Sequence, residues 1–283
     1  MAASDLTTLA NVKAWLSVTD GKSDAILSRL ISSVSAQILA YIGRDAMYSH
    51  PRSEVRDGSG TNVFLLANWP VTQVVSVTID GASIPPSLPV TGGDSTAGWI
   101  LSPWDEFPPG SNQLVSLKGG LRFNQGTKNI NIVYIAGYAI YGEATVVSSS
   151  PYNVIGPYGS WSYDNGVTFT DTGASLTPIT SGTPTTGQYL IETSSLVYPD
   201  PGTYLFSAAD VGRPVAINYS YIPTGLEQIV IEEVCERYKY RDRIGLQSKS
   251  LGGQETVTYD LSGFPKYVVL SLNNWRSVVT ISP

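Results

Sequence analysis

Residues 23–43 read Ser23-Asp24-Ala25-Ile26-Leu27-Ser28-Arg29-Leu30-Ile31-Ser32-Ser33-Val34-Ser35-Ala36-Gln37-Ile38-Leu39-Ala40-Tyr41-Ile42-Gly43. Ile26, Leu27, Leu30, Ile31, Val34, Ile38, Tyr41 and Ile42 recur at the three- and four-residue spacing that lines one side of an α-helix. Ser23 is placed to cap that helix and Gly43 to end it. Ser28, Ser32, Ser33, Ser35 and Gln37 fall on the other side. Small uncharged residues there would let another chain pack closely, though solvation explains them equally well. Just upstream, Thr8 is placed to cap a shorter helix that carries Val12, Trp15 and Leu16 on one side and ends in a turn at Asp20-Gly21.

A matching helix stands near the other end of the chain. Thr224-Gly225-Leu226-Glu227 has the spacing of a capping box, in which the Glu227 carboxylate reaches back to the cap amide. Leu226, Ile229, Val230, Val234 and Tyr238 form its apolar stripe. Glu227, Glu232, Glu233 and Glu236 crowd its start and Arg237, Lys239, Arg241 and Arg243 its end, the order the helix dipole favours. Between the helical ends the texture is β. From Glu54 to about Ile140, turn signals such as Asp80-Gly81 and Gly119-Gly120 separate apolar runs at Val63–Leu66, Val74–Ile79, Leu114–Leu117 and Ile130–Ile135. Val75, Val77 and Ile79 alternate with Ser76, Thr78 and Asp80, as a half-buried strand should. Residues 141–222 hold six acidic residues and one basic, Arg213, with candidate strands at Val167–Phe169, Gln188–Glu192, Gly202–Phe206 and Val215–Tyr221.

The expected fold is α+β: a small helical bundle drawn from both chain termini, with two inserted antiparallel β modules. Its expected parts are a helical segment at 1–45, an antiparallel β domain at 46–140 and a sandwich-like module at 141–222. A bundle helix at 223–247 and an extended tail at 248–283 complete it. The tail holds a strand at Glu255–Tyr259 and an apolar stretch, Tyr267–Trp275, that pattern alone does not assign.

Composition narrows the function. Charged residues are 14% of the 283, well below the roughly 25% of an ordinary soluble domain, while tyrosine reaches 17 copies. Few charges and many tyrosines suit surfaces made to be covered by other proteins. A net charge of −6 argues against nucleic acid as the main partner. A single cysteine, Cys235, excludes a disulfide framework and any multi-cysteine metal site. No signal peptide and no apolar run of membrane-spanning length is evident, so a soluble protein made in the cytosol is expected.

No catalytic constellation is evident, and no enzyme, cofactor or metal is expected. His50 stands alone in a Ser49-His50-Pro51 loop, and Cys235 sits beside Val234 on an apolar helix face. Gly119-Gly120 and Gly252-Gly253 lack the context of a phosphate loop. Asp105-Glu106 is the closest carboxylate pair outside the last helix and is conceivable as a glycosidase pair. A Pro-flanked solvated loop is the simpler reading. Trp69, Trp99, Trp104 and Trp161 could stack on sugars, though tryptophans in small β domains more often fill cores or protein interfaces; a carbohydrate- or receptor-binding role through 141–222 stays as the alternative. The positive run Arg237, Lys239, Arg241, Arg243 and Lys249 reads as a contact with an acidic partner or with DNA passing close by.

The two ends carry more than pattern. Leu6-Thr7-Thr8-Leu9-Ala10-Asn11-Val12-Lys13-Ala14-Trp15-Leu16, then a long helix ending Tyr41-Ile42-Gly43-Arg44, resembles the opening of phage head–tail connector proteins. So do Pro70-Val71 before Val74–Gly81, Val133-Tyr134-Ile135-Ala136-Gly137-Tyr138, Arg241-Asp242-Arg243-Ile244-Gly245 and Glu255-Thr256-Val257-Thr258-Tyr259. The resemblance covers roughly 5–140 and 225–280; the 141–222 module has no counterpart in shorter members. It implies a structural neck adaptor of a tailed bacteriophage, located in the virion at the head–tail junction and made in the host bacterial cytoplasm. Such a protein forms a ring, usually of twelve copies, beneath the portal protein. It extends the DNA channel and holds the next neck or tail-completion protein, and no membrane is involved. The tail would meet the portal through Glu255, Val257, Tyr259, Phe264 and Trp275, with the positive run facing the channel or a partner.

Overall fold

The computed structural model describes residues 4–89, 95–102, 113–192, 202–240, 248–251, 255–258 and 264–277. The fold is α+β, with four α-helices and several antiparallel sheets among those residues. The chain divides into two compact units, 1–45 with 142–276, and 46–141 with 277–283.

In the first unit, α1 (Leu9–Leu16) is capped as its sequence predicts: the Thr8 hydroxyl accepts from the Asn11 amide at 3.1 Å. It stops sooner than Asp20-Gly21, at Ser17, which takes a left-handed conformation (φ 55°). Val12 faces inward, whereas Trp15 is 54% exposed, so the expected shared face of the two is corrected. Helix α2 (Asp24–Ile42) buries Leu27, Ile31, Val34, Ile38, Leu39 and Ile42. Ser35 is buried among them and accepts from the Leu6 amide at 2.9 Å, which removes it from the solvent face. Ser23 makes no side-chain cap; its hydroxyl pairs with that of Tyr238 at 2.7 Å.

Helix α3 (Thr224–Tyr240) packs against α1 and α2, and α4 (Lys266–Leu272) against α3. The unassigned apolar stretch is therefore helical, with Val268 and Leu272 fully buried, and continues as a 3-10 turn at Asn273–Trp275. One sheet runs β10 (Gly159–Phe169), β14 (Pro214–Pro223), β8 (Ala139–Val146), in that order, with β8 in this unit from Gly142 onward. A second sheet runs β11 (Thr177–Ile179), β12 (Gln188–Glu192), β13 (Thr203–Phe206), β9 (Tyr152–Asn153). Its β11–β12 pairing is parallel, so this module departs from the purely antiparallel expectation. Asp164 of β10 ties the sheets together by accepting from the hydroxyls of Tyr189 at 2.6 Å and Tyr204 at 2.9 Å. Burial first, and then these carboxylate contacts, push both phenols well above 10.0.

The second unit packs the sheet β1 (His50–Gly58), β7 (Gly126–Ala136), β3 (Val71–Ile79), β4 (Ala82–Ile84) and the sheet β2 (Val63–Leu65), β6 (Leu114–Lys118), β5 (Gly98–Ser102) around one core. Phe64, Val115, Val77, Ile130, Ile132 and Phe123 meet there. Asp80 and Gly81, both at positive φ, make the two-residue turn from β3 to β4 that their sequence announces. Strand β3 corrects the simple alternation. A bulge between Val74 and Ser76 places Val74 and Val77 inside and leaves Val75 54% exposed. Strand β1 turns the expected His50 loop into sheet.

Candidate assembly site

The helical region is joined by polar contacts as well as apolar ones. The Thr224 amide and hydroxyl both donate to the Tyr158 carbonyl at 3.2 Å. The expected capping box is therefore absent, and the Glu227 carboxylate is free to act across elements. Glu227 is 6% exposed. Its Oε1 accepts from the Thr7 hydroxyl at 3.1 Å and the Asn11 side-chain amide at 2.7 Å. Its Oε2 accepts from the Ser160 hydroxyl at 2.6 Å. One carboxylate thus ties α1, the segment before it, α3 and β10.

At the other end of α2, the Tyr41 hydroxyl donates to Asn273 at 3.2 Å and Arg44 Nε to the Trp275 carbonyl at 3.0 Å. The Arg276 guanidinium lies 5.4 Å from the Tyr41 ring centre. Beside Glu227 opens a cavity of about 350 Å³, lined by Asn11, Val154, Ile155, Gly159, Trp161 and Thr224 among others.

Of the residues expected to meet the portal, Phe264 and Trp275 are described, with the backbone of Glu255 and Val257. Phe264 packs edge-on against Tyr41 at 6.1 Å and lies 5.6 Å from the Arg237 guanidinium. Trp275 receives Arg44 through its backbone. Both therefore serve contacts within the chain. Glu255 and Val257 lie in β16 (Glu255–Thr258), which pairs with β15 (Ser248–Leu251) to form a hairpin. Tyr259 lies outside the described residues.

Arg237 pairs with Glu233 at 2.7 Å, Lys239 is exposed on α3, and Lys249 is opposite Val257 in the hairpin. Arg241 and Arg243 lie outside the described residues. Four large apolar side chains on the helices of this unit remain open: Trp15, Ile26, Tyr267 and Leu270. The sequence assigned the first two to a buried face, and amphipathic spacing alone cannot tell a core-facing edge from a partner-facing one.

The groups considered for chemistry are held in structural environments. His50 Nδ1 lies 3.1 Å from the Tyr48 carbonyl, and its ring rests 4.9 Å from that of Tyr48. The Cys235 thiol is buried, which pushes it up to about 11. Among the described residues no cluster of three His, Cys, Asp or Glu side chains could hold a metal. Asp105, Glu106 and Trp104 lie outside the described residues. Trp161, offered as a sugar platform, is buried and donates to the Tyr204 hydroxyl at 3.2 Å.

The expectation that nothing in the chain approaches a membrane span needs correction on composition. Helix α2 has the length and the mean hydropathy, 1.5, to cross one. Its apolar stripe is used inside the unit, however, and Ser28, Arg29, Ser32, Ser33 and Gln37 lie exposed on the other side. Lipid would leave those polar groups unsatisfied.

No curated protein matches the chain. Residues 5–103, which carry α1, α2 and β1 to β5, match the family model described as head completion protein (HCP). That match, over about a third of the chain, supports the resemblance to phage head–tail connector proteins.

Proposed function

We propose that the protein is a head–tail adaptor: copies of the chain close into a ring under the portal, lengthen the DNA channel and form the platform for the next neck or tail-completion protein. The observation that carries this reading is the head completion match over residues 5–103. The packing of α3 against α1 and α2, with α4 on α3, supports it, because it gives the matched helices a base drawn from the far end of the chain. A ring needs heterologous contacts that close on themselves. The open Trp15, Ile26, Tyr267 and Leu270 suit contact with a second copy, since buried aromatic and aliphatic anchors dominate such interfaces.

The proposed portal contact narrows to the hairpin carrying Glu255 and Val257, where an open strand edge can pair with a partner strand through its backbone. Phe264 and Trp275, both half-buried, also contact Tyr41 and Arg44 within their own unit. The test is binding of the purified chain to portal rings, followed by electron microscopy. Excision of residues 248–258 should leave a folded protein that no longer joins the portal. Undiminished joining would refute the hairpin assignment.

A further inference from the structure

Among the described residues, three buried carboxylates are each paired with an arginine. Glu54 lies 3.0 Å from Arg56, Asp210 lies 3.7 Å from Arg213, and Glu233 lies 2.7 Å from Arg237. Glu227 differs: Thr7, Asn11 and Ser160 are all neutral donors. A carboxylate offers about four acceptor positions, and these three bonds leave one on Oε2. Buried charges are ordinarily paired, and Glu227 lines the 350 Å³ cavity described above. The cavity has an apolar side as well. Val154 and Trp161 form part of its wall, and Ile155, 74% exposed, stands at its rim without burying its side chain. A polar end carrying one negative charge, with an aliphatic and aromatic approach, matches an alkyl chain that ends in a cation.

From this geometry we infer that the cavity receives one lysine or arginine side chain from another protein chain, its stem against Ile155 and Trp161 and its charged head on Glu227. The contact supplies the charge partner that no described residue brings to Glu227. It does not depend on ring formation, because the isolated chain already presents the cavity.

The first test is NMR titration of the isotope-labelled full chain with agmatine, a guanidinium and an ammonium joined by a butyl chain, against neutral n-butylurea. Agmatine is expected to cause saturable shifts at the Asn11 side-chain amide and at the Gly156 and Gly159 amides, and n-butylurea none. Glu227→Gln should weaken agmatine roughly tenfold to a hundredfold, the cost of losing a charged hydrogen bond. Ile155→Ser, at an exposed position that leaves folding intact, should weaken it several-fold. Absence of saturable shifts, equal response to n-butylurea, or indifference to both substitutions overturns the site. A map of the assembled neck distinguishes the source. A basic side chain of an adjoining chain in the cavity is expected; an empty cavity or a free polyamine there overturns the partner assignment.

Discussion

Ser35 and Ser32 are three residues apart on one helix and have opposite fates. Ser35 is buried and accepts from the Leu6 amide, whereas Ser32 is exposed. Ser35→Ala should therefore cost about 1–3 kcal/mol by stranding a buried donor. Ser32→Ala should change stability by less than about 0.5 kcal/mol; urea unfolding of both variants checks the contrast. Sequence pattern grouped the two serines, because a buried hydroxyl with a single backbone partner leaves no periodic trace.

Glu227 was misread for a related reason. A capping carboxylate and a carboxylate that ties distant segments have the same spacing from Thr224, and only the fold shows that Tyr158 has taken the cap amide. The tyrosine–carboxylate pairs were also invisible at that stage, and they make stability depend on pH. Tyr134, Tyr189, Tyr204 and Tyr219 are all raised above 10.0, each chiefly by burial and then by a neighbouring carboxylate. A group with a raised folded pKa binds its proton more tightly in the folded state. Its contribution is complete below 10.0 and is lost as pH rises beyond it. Each such tyrosine that titrates only on unfolding should remove up to about 1.4 kcal/mol per pH unit. Melting temperature should thus fall steeply in alkali, with phenolate absorbance appearing together with unfolding. Phenolate formation well before unfolding would contradict it.

At the scale of the element, β3 shows how far periodicity reaches. Its existence follows from the valine-rich run, but its phase does not, because the bulge after Val74 transfers the inward position from Val75 to Val74. Val77→Ala should cost about 2 kcal/mol by opening the core, and Val75→Ala less than about 0.5 kcal/mol. Equal losses in thermal unfolding would mean the register is wrong. Strand β1 escaped sequence reading altogether. It carries Arg52, Glu54, Arg56 and Asp57, buries Glu54 and exposes Val55, so its hydrophobic signal is inverted. What holds it is the ladder to β7 and the Glu54 carboxylate, which accepts from the Ala67 amide at 2.7 Å and from the Tyr134 hydroxyl. The longer helices were legible because α2 and α3 each carry a buried apolar stripe, and α1 through its Thr8 cap. Helix α4, at seven residues, is too short to show one.

For the whole molecule, the resemblance to phage connectors was readable from the order of short motifs, and the head completion match covers residues 5–103 of it. The candidate assembly site was less legible, since Arg237, Phe264 and Trp275 look exposed in sequence and serve contacts within the chain. Removal of residues 251–283 takes away the buried Val268 and Leu272 and should destabilise the protein. Excision of 248–258 removes only the hairpin and should leave its melting temperature nearly unchanged. The adaptor account is tested most directly by electron microscopy of the full chain mixed with portal rings. It predicts a closed ring of this protein seated on one end of the portal, coaxial with its channel. Bare portals beside unassociated protein, under conditions that support head completion, would contradict it.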